Sequence, residues 1–228
     1  MAVAPEGKGI LLVSALMGVL GVSIAVAFFQ EMAAWIALPC LIPLAFSLHF
    51  FRDPVRRPPD RPDIAVSPAD GRVIEIADER PGFLTDGQAP AGDAGSHVKV
   101  SIFMSPLNVH VNRIPANGDV TGLHYQEGRF DGAFKSSASL ENERQYIRLN
   151  TAYGTMGCVQ VAGWLARRIV CHLTMGQKTT IGQRFGIIKF GSRVDLYLPK
   201  PCRLAVGMGQ RTKAGETIIA QFREEQSK

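Results

Sequence analysis

The chain has 228 residues, 46% of them apolar and 20% charged, with a formal charge of +5. That length allows one or two domains, and that balance excludes a disordered or low-complexity protein. A basic chain invites a nucleic-acid reading, but the charges are scattered, without a basic run or interleaved aromatics, so no nucleic-acid partner is expected.

The apolar excess lies at the N-terminus. Residues 9–29 carry no charge, and residues 33–51 carry none apart from His49. Each run approaches the roughly 20 residues that cross a hydrocarbon core. Only Gln30, Glu31 and Met32 separate them. The spacing predicts a membrane helical hairpin over residues 1–51, with spans at about 9–29 and 33–51 and both ends on one side. Lys8 precedes the first run, Arg52, Arg56 and Arg57 follow the second, and the turn holds Glu31. The positive-inside rule then puts everything after Phe51 on the cytoplasmic side of the cell membrane. The first run is too long for the core of a secretory signal, and a second follows at once. Pro39 and Pro43 leave a re-entrant hairpin open beside a spanning one.

Residues 52–63, RDPVRRPPDRPD, read as a stiff linker. From 64 to 228 period-two alternation recurs. It predicts strands at Val73–Ile76, Val98–Met104, Tyr146–Leu149, Val159–Val161, Arg168–Leu173, Val194–Leu198 and Ile218–Phe222. Turn signals at Asp70-Gly71, Asn117-Gly118, Tyr153-Gly154, Gly182 and Gly215 separate them. Residues 80–96 read as a surface loop. No long amphipathic helix follows Phe51. The predicted fold class is mainly β: a single β-rich barrel or sandwich-like domain preceded by an N-terminal hydrophobic helical hairpin. Residues 52–228 carry a net +6, which suits a domain lying against anionic headgroups.

Cys40, Cys158, Cys171 and Cys202 form no Cys-x-x-Cys pair, which speaks against a disulfide frame or a structural zinc and suits a reducing compartment. Five histidines without HExxH or paired spacing point away from any metal. His172 is expected to pack in the core, and His97 and His124 to be structural or exposed. His49 belongs to the membrane end of the second span.

One pair of residues carries chemistry. In KFGSRVDLYLP, 189–199, Ser192 follows Gly191 at the start of a strand that can clamp it. Gly95-Ser96 sits in the loop and cannot be held the same way. With a base to take its proton, a clamped Ser192 hydroxyl can attack the Gly191 carbonyl, and backbone N–H groups can stabilise the oxyanion. The amide becomes an ester. Loss of the serine α-proton expels that ester, leaving a chain that ends at Gly191 and a new one beginning with dehydroalanine. Hydration and loss of ammonia give a pyruvoyl group. Gly191 helps because it has no Cβ to block the attack. A pyruvoyl ketone forms a Schiff base with an amine and draws electrons from its Cα, so no pyridoxal phosphate is needed. Amino-acid decarboxylation is the matching reaction.

FGSRVDLYLP, 190–199, resembles the processing site of phosphatidylserine decarboxylases. SPADGRV, 67–73, resembles their aspartate segment and places Asp70. FMSPLNVHVNRIPANG, 103–118, resembles their Ser-Pro-x-x-x-His segment and places His110. The likeness is greatest to the short, archaeal-like bacterial subclass, in which ENER, 141–144, also has a counterpart. The resemblance implies a pyruvoyl-dependent carboxy-lyase that converts phosphatidylserine to phosphatidylethanolamine and CO₂ in phospholipid biosynthesis. It implies a proenzyme that cleaves itself between 191 and 192. The β chain 1–191 and α chain 192–228 then stay together as a heterodimer, with a higher oligomer left open. The implied cofactor is a covalent pyruvoyl group derived from Ser192, with no metal. Asp70 then assists processing, and His110 handles protons. Longer members carry a second histidine three residues after the first. Here Arg113 stands in its place, so the base for self-cleavage stays open. Arg113, Lys135 and Arg144 are candidate cations for the lipid phosphate.

Two rivals remain at this stage. One is a non-catalytic, membrane-anchored adaptor, because 205–222 looks like a biotinyl- or lipoyl-type hairpin, with Lys213 near its turn. The other is a serine hydrolase built on Ser192, His110 and Asp70, although no Gly-x-Ser-x-Gly elbow is present.

Overall fold

The computed structural model describes residues 2–29, 32–84, 97–128, 142–163, 168–189 and 192–222. The chain forms two compact units, Met1–Val55 and Arg56–Lys228, which meet inside the proline-rich stretch 52–63.

In the first unit, β1 (Ala2–Val3) leads into α1 (Lys8–Phe28). The helix α2 (Ala33–Phe50) follows, and β2 (Arg52–Asp53) returns to pair antiparallel with β1. The 21 residues of α1 rise about 31 Å at ~1.5 Å each, the thickness of a hydrocarbon core. By length and composition α1 can cross a membrane. The shorter α2 holds Pro39 and Pro43 inside the helix. The two helices approach closely at small residues: a Cβ on Gly18 would lie 3.3 Å from Leu41, and Ser14 and Ser47 share a hydrogen bond of 3.2 Å. Leu12, Leu16 and Leu20 are 60% or more exposed. An apolar surface of this kind calls for an apolar cover, and α1 thereby suggests membrane association.

The second unit is built from strands. They are β3 (Ile64–Val66), β4 (Gly71–Glu79), β5 (His97–Met104), β6 (Val111–Arg113), β7 (Gly118–Gln126), β8 (Arg144–Thr151) and β9 (Gly154–Val161), then β10 (Arg168–Cys171), β11 (Lys178–Thr179), β12 (Arg184–Lys189), β13 (Ser192–Pro199), β14 (Cys202–Leu204), β15 (Arg211–Thr212) and β16 (Ile218–Phe222). Beyond Phe51 the described residues hold no α-helix, only a 3-10 turn at Gly82–Leu84. A curled antiparallel sheet runs β11-β7-β8-β9-β13-β5-β4-β15, and two three-stranded sheets run β10-β12-β6 and β14-β16-β3. The mainly β fold predicted from alternation is the one observed.

The strand β13 explains the arrangement best. It lies fifth in the large sheet, between β9 and β5. Val194, Leu196 and Leu198 point into the main core with Val100, Ile102 and Met104 of β5 and Met156 and Cys158 of β9. Tyr197 points the other way and packs with Leu84, Val159 and Val161. Both faces are therefore covered, and all eight residues of β13 are buried.

One histidine departs from expectation. His172 is exposed rather than packed: its amide still bonds to the Phe185 carbonyl of β12, but its side chain faces outward while that of Leu173 is buried. His97 is buried, with Nε2 2.9 Å from the Thr155 carbonyl. His124 is exposed and stacks on Tyr146.

Candidate active site

Ser192 is the first residue of β13 and directly opposes Met104, the last residue of β5. Alternation puts its side chain on the same face as Val194, inside the core. The residue is 0% exposed, and its Oγ has no hydrogen-bond partner among the described residues. A buried unpartnered hydroxyl is costly and requires an explanation. Gly191, Phe190 and Lys135 lie outside the described residues, as do Gly95 and Ser96.

A polar group crosses the core beside Ser192. The Asn112 amide of β6 approaches Met104 Sδ at 3.8 Å, and Gln160 Nε2 of β9 donates to Asn112 Oδ1 at 2.8 Å. Both side chains are fully buried. Gln160 lies opposite Val194 in the ladder, two residues along from Ser192. His110, also fully buried, immediately precedes β6. Its Nδ1 lies 3.0 Å from the Asn108 carbonyl. A carbonyl only accepts, so Nδ1 carries the proton and the basic lone pair belongs to Nε2.

Asp70 sits just before β4, and its neighbour Gly71 tolerates no side chain: a Cβ there would collide with the Phe103 carbonyl. Gly71 is two strands from Ser192, roughly 10 Å at ~4.8 Å per strand. Asp70 Oδ1 accepts from the Ala214 amide at 2.7 Å, and Oδ2 pairs with Arg56 Nη2 at 2.7 Å. Arg56 also reaches Glu216 at 3.1 Å. Asp70 therefore caps a turn 144 residues away. Arg113 is buried, and its Nη1 donates to the Gly182 carbonyl at 3.0 Å. Arg144 is buried as well, bonded to Gln126 at 3.1 Å, with its guanidinium over the Tyr146 ring.

On the outer face of β13, Arg193 forms a two-point ion pair with Asp195 at 2.6 and 3.0 Å. Glu75 lies 3.5 Å from Arg193 and also pairs with Lys99, which reaches Glu79 at 2.5 Å. Burial pulls the Lys99 ammonium down, but the hydrogen bonds it donates to Glu79 and Glu75 and the nearby negative charges outweigh it and leave its pKa raised. Burial holds the thiols of Cys158, Cys171 and Cys202 above their ordinary range, so they stay protonated and poorly nucleophilic. No group of three metal-ligating side chains occurs among the described residues.

Asn112, Gln160 and Arg56 were not singled out from sequence. Gln160 did leave a signal: alternation puts it on the same face as Met156 and Cys158, a polar residue in an apolar row.

Fold and site together define a mainly β protein whose centre is a buried serine at the head of an interior strand. A family model described as phosphatidylserine decarboxylase matches residues 44–220. The chain belongs to the phosphatidylserine decarboxylase family, and it is an enzyme of the decarboxylase, or lyase, class. It is 47% identical over 188 residues to the phosphatidylserine decarboxylase proenzyme of Chlorobium chlorochromatii (strain CaD3), covering 82% of this chain and 84% of the relative. It is 42% identical over 221 residues to that of Chlorobaculum tepidum, covering 97% and 98%. With the Rickettsia conorii proenzyme it shares 46% over 202 residues, covering 88% and 84%. Membership of this family sets the adaptor reading aside.

Proposed function

We propose that the chain cuts itself between Gly191 and Ser192 and then, as a pyruvoyl enzyme held at the cytoplasmic face of the cell membrane, converts phosphatidylserine to phosphatidylethanolamine and CO₂. The observation that carries this reading is the fully buried Ser192 Oγ, without a hydrogen-bond partner among the described residues, at the head of a strand buried along its whole length. A hydroxyl so placed is desolvated and held where β13 pairs with β5, one residue before its ladder with β9 begins, which favours attack within the chain over reaction with solvent.

Ser192 Oγ adds to the Gly191 carbonyl carbon as its proton passes to a base, and the amide C–N bond breaks in favour of an ester. Loss of the Ser192 α-proton expels the Gly191 carboxylate and leaves dehydroalanine. Addition of water and release of ammonia complete a pyruvoyl group at residue 192. That group supplies a ketone electron sink for cleavage of the bond to the departing carboxylate. Arg113 supplies no base, because a guanidinium does not deprotonate in a protein. His110, with Nε2 as its basic nitrogen, is our candidate for the first proton transfer and for returning a proton to the substrate carbon after CO₂ leaves. Asp70 is a positioning residue that fixes the start of β4 and the turn at Ala214. The burial of Arg113 and Arg144 supports a framework role for both.

The ladders support a stable heterodimer after cleavage. From the 192–228 part, β13 pairs with β5 and β9, β15 with β4, and β16 with β3. None of these pairings needs the 191–192 peptide bond. The apolar hairpin supports action at the bilayer, where a diacyl substrate resides.

The test is Ser192→Ala in the full chain, followed by denaturing electrophoresis and CO₂ release from phosphatidylserine. The expected result is a single uncut chain without activity. Release of CO₂ by the alanine variant would overturn the proposal.

A further inference from the structure

We infer that a cleft where β4 begins and β5 ends is the site for the phosphodiester of the lipid headgroup, and that Arg72 and Arg211 are its anion-binding pair. The inference rests on the decarboxylase reading above and adds substrate-binding residues to it. The cleft has a volume of about 490 Å³ and is lined by Gly71, Arg72, Phe103, Ser105, Leu107, Asn108 and Arg211.

Three observations converge on an anion. First, Arg72 and Arg211 are directly opposed across the β4–β15 ladder. Like charges placed so destabilise a sheet unless something neutralises them. Both side chains are exposed, and neither has an ionic partner among the described residues. Second, the carboxylates that follow on β4 are committed elsewhere: Glu75 to Lys99 and Arg193, Asp78 to Lys200, and Glu79 to Lys99. Third, the opposite wall is the Ser105–Asn108 turn, fixed by bonds from the Ser105 amide and hydroxyl to Asn108 Oδ1 at 2.9 and 2.8 Å. Two guanidinium forks on a rigid polar wall suit a phosphate-class oxyanion.

The position selects the substrate's own phosphodiester. Ser105 follows Met104, which opposes Ser192. One strand spacing and one residue rise put Ser105 roughly 6 Å from Ser192, Cα to Cα. The short span between the amine and the phosphorus of a phosphoserine headgroup matches a reacting centre at residue 192 with its phosphate at this rim. Leu107, 67% exposed, adds an apolar lip on the side where the glycerol and acyl chains leave.

The test is calorimetric binding of glycerophosphoserine to the full-length, detergent-solubilised Ser192→Ala chain, which reports on the cleft without catalysis. Arg72→Gln/Arg211→Gln in that background should weaken binding about tenfold or more, while Arg72→Lys/Arg211→Lys should retain part of it. Free serine should bind equally to all three, and inorganic phosphate should follow the arginines. In the cleavable chain the same glutamine pair should raise KM for phosphatidylserine in mixed micelles, with the loss concentrated in KM rather than kcat. Unchanged glycerophosphoserine binding in the glutamine pair overturns the inference even if KM in micelles rises, because a rise without a binding loss marks a bilayer contact instead. Failure of the wild-type chain to release CO₂ would refute the decarboxylase reading while leaving the binding result to stand or fall alone.

Discussion

Asp195→Ala should be among the most damaging single changes in the β-rich unit. The Arg193 and Asp195 side chains are each 1% exposed and meet at 2.6 and 3.0 Å. Removing the carboxylate strands a guanidinium in the interior, which costs about 3–5 kcal/mol. Glu75 Oε2, 3.5 Å from Arg193, remains as a partial counter-charge, so the lower end, about 3 kcal/mol, is the expected loss. For a unit of this size that corresponds to a fall in Tm of roughly 6–12 °C, at ~2–4 °C per kcal/mol. Thermal unfolding should be followed on the Ser192→Ala background, where every variant is one uncut chain. Arg193→Met/Asp195→Leu should recover most of the loss, because apolar residues of similar volume can replace a buried pair. In the cleavable chain the single variant should process more slowly than the double, since the stranded Arg193 charge loosens β13 next to Ser192 and the apolar pair does not. A Tm change below about 2 °C, or a double variant no better than the single, would refute the reasoning.

Gly71→Ala should cost about 1–3 kcal/mol in denaturant unfolding, because its Cβ meets the Phe103 backbone, which cannot swing aside. An unchanged midpoint would show that the strand ends are looser than their ladder implies. His110→Gln should lower CO₂ release by about 100-fold or more, measured per cleaved chain. A near-normal rate would remove His110 from the chemistry. Lys99 sets an alkaline limit. Its folded pKa lies above the ordinary 10.5, so its stabilisation is complete below that value and is lost as pH rises through the raised one. Burial also holds the Tyr197 phenol up, which adds a decline of the same sign. Lys99→Met should therefore flatten the fall in Tm above pH 10.5 without abolishing it. Parallel curves for the two chains would contradict the assignment.

The elements read correctly from sequence are those in which one periodicity acts alone. Val98, Val100, Ile102 and Met104 alternate without interruption, and all four enter the main core. So do Val194, Leu196 and Leu198. The strand β7 was not read in full because a bulge between Val120 and Gly122 breaks its alternation. The strand β12 was missed because Gly186 and the consecutive Ile187 and Ile188 carry no two-residue period. Gly71 was read as a turn glycine, but close approach to β5 is what requires it. Ser192, Asp70 and His110 were singled out from the sequence, but the contacts around them were not. Asp70 meets Arg56 and Ala214, and Gln160 meets Asn112 across 48 positions. Contacts made only by the folded sheets leave no local pattern for spacing to reveal. Arg56 looked like part of a charged linker, yet its side chain is nearly buried between Asp70 and Glu216.

Intact mass spectrometry of the active, unaltered chain probes the central chemistry most directly. Rupture of the backbone by its own hydroxyl should yield the fragment 192–228, 37 of the 228 residues and so about 4 of the 24.8 kDa. That fragment should begin with a keto-acyl group in place of an amine and gain a pair of hydrogens with borohydride. A preparation that releases CO₂ from phosphatidylserine while every molecule keeps the full-length mass would contradict it.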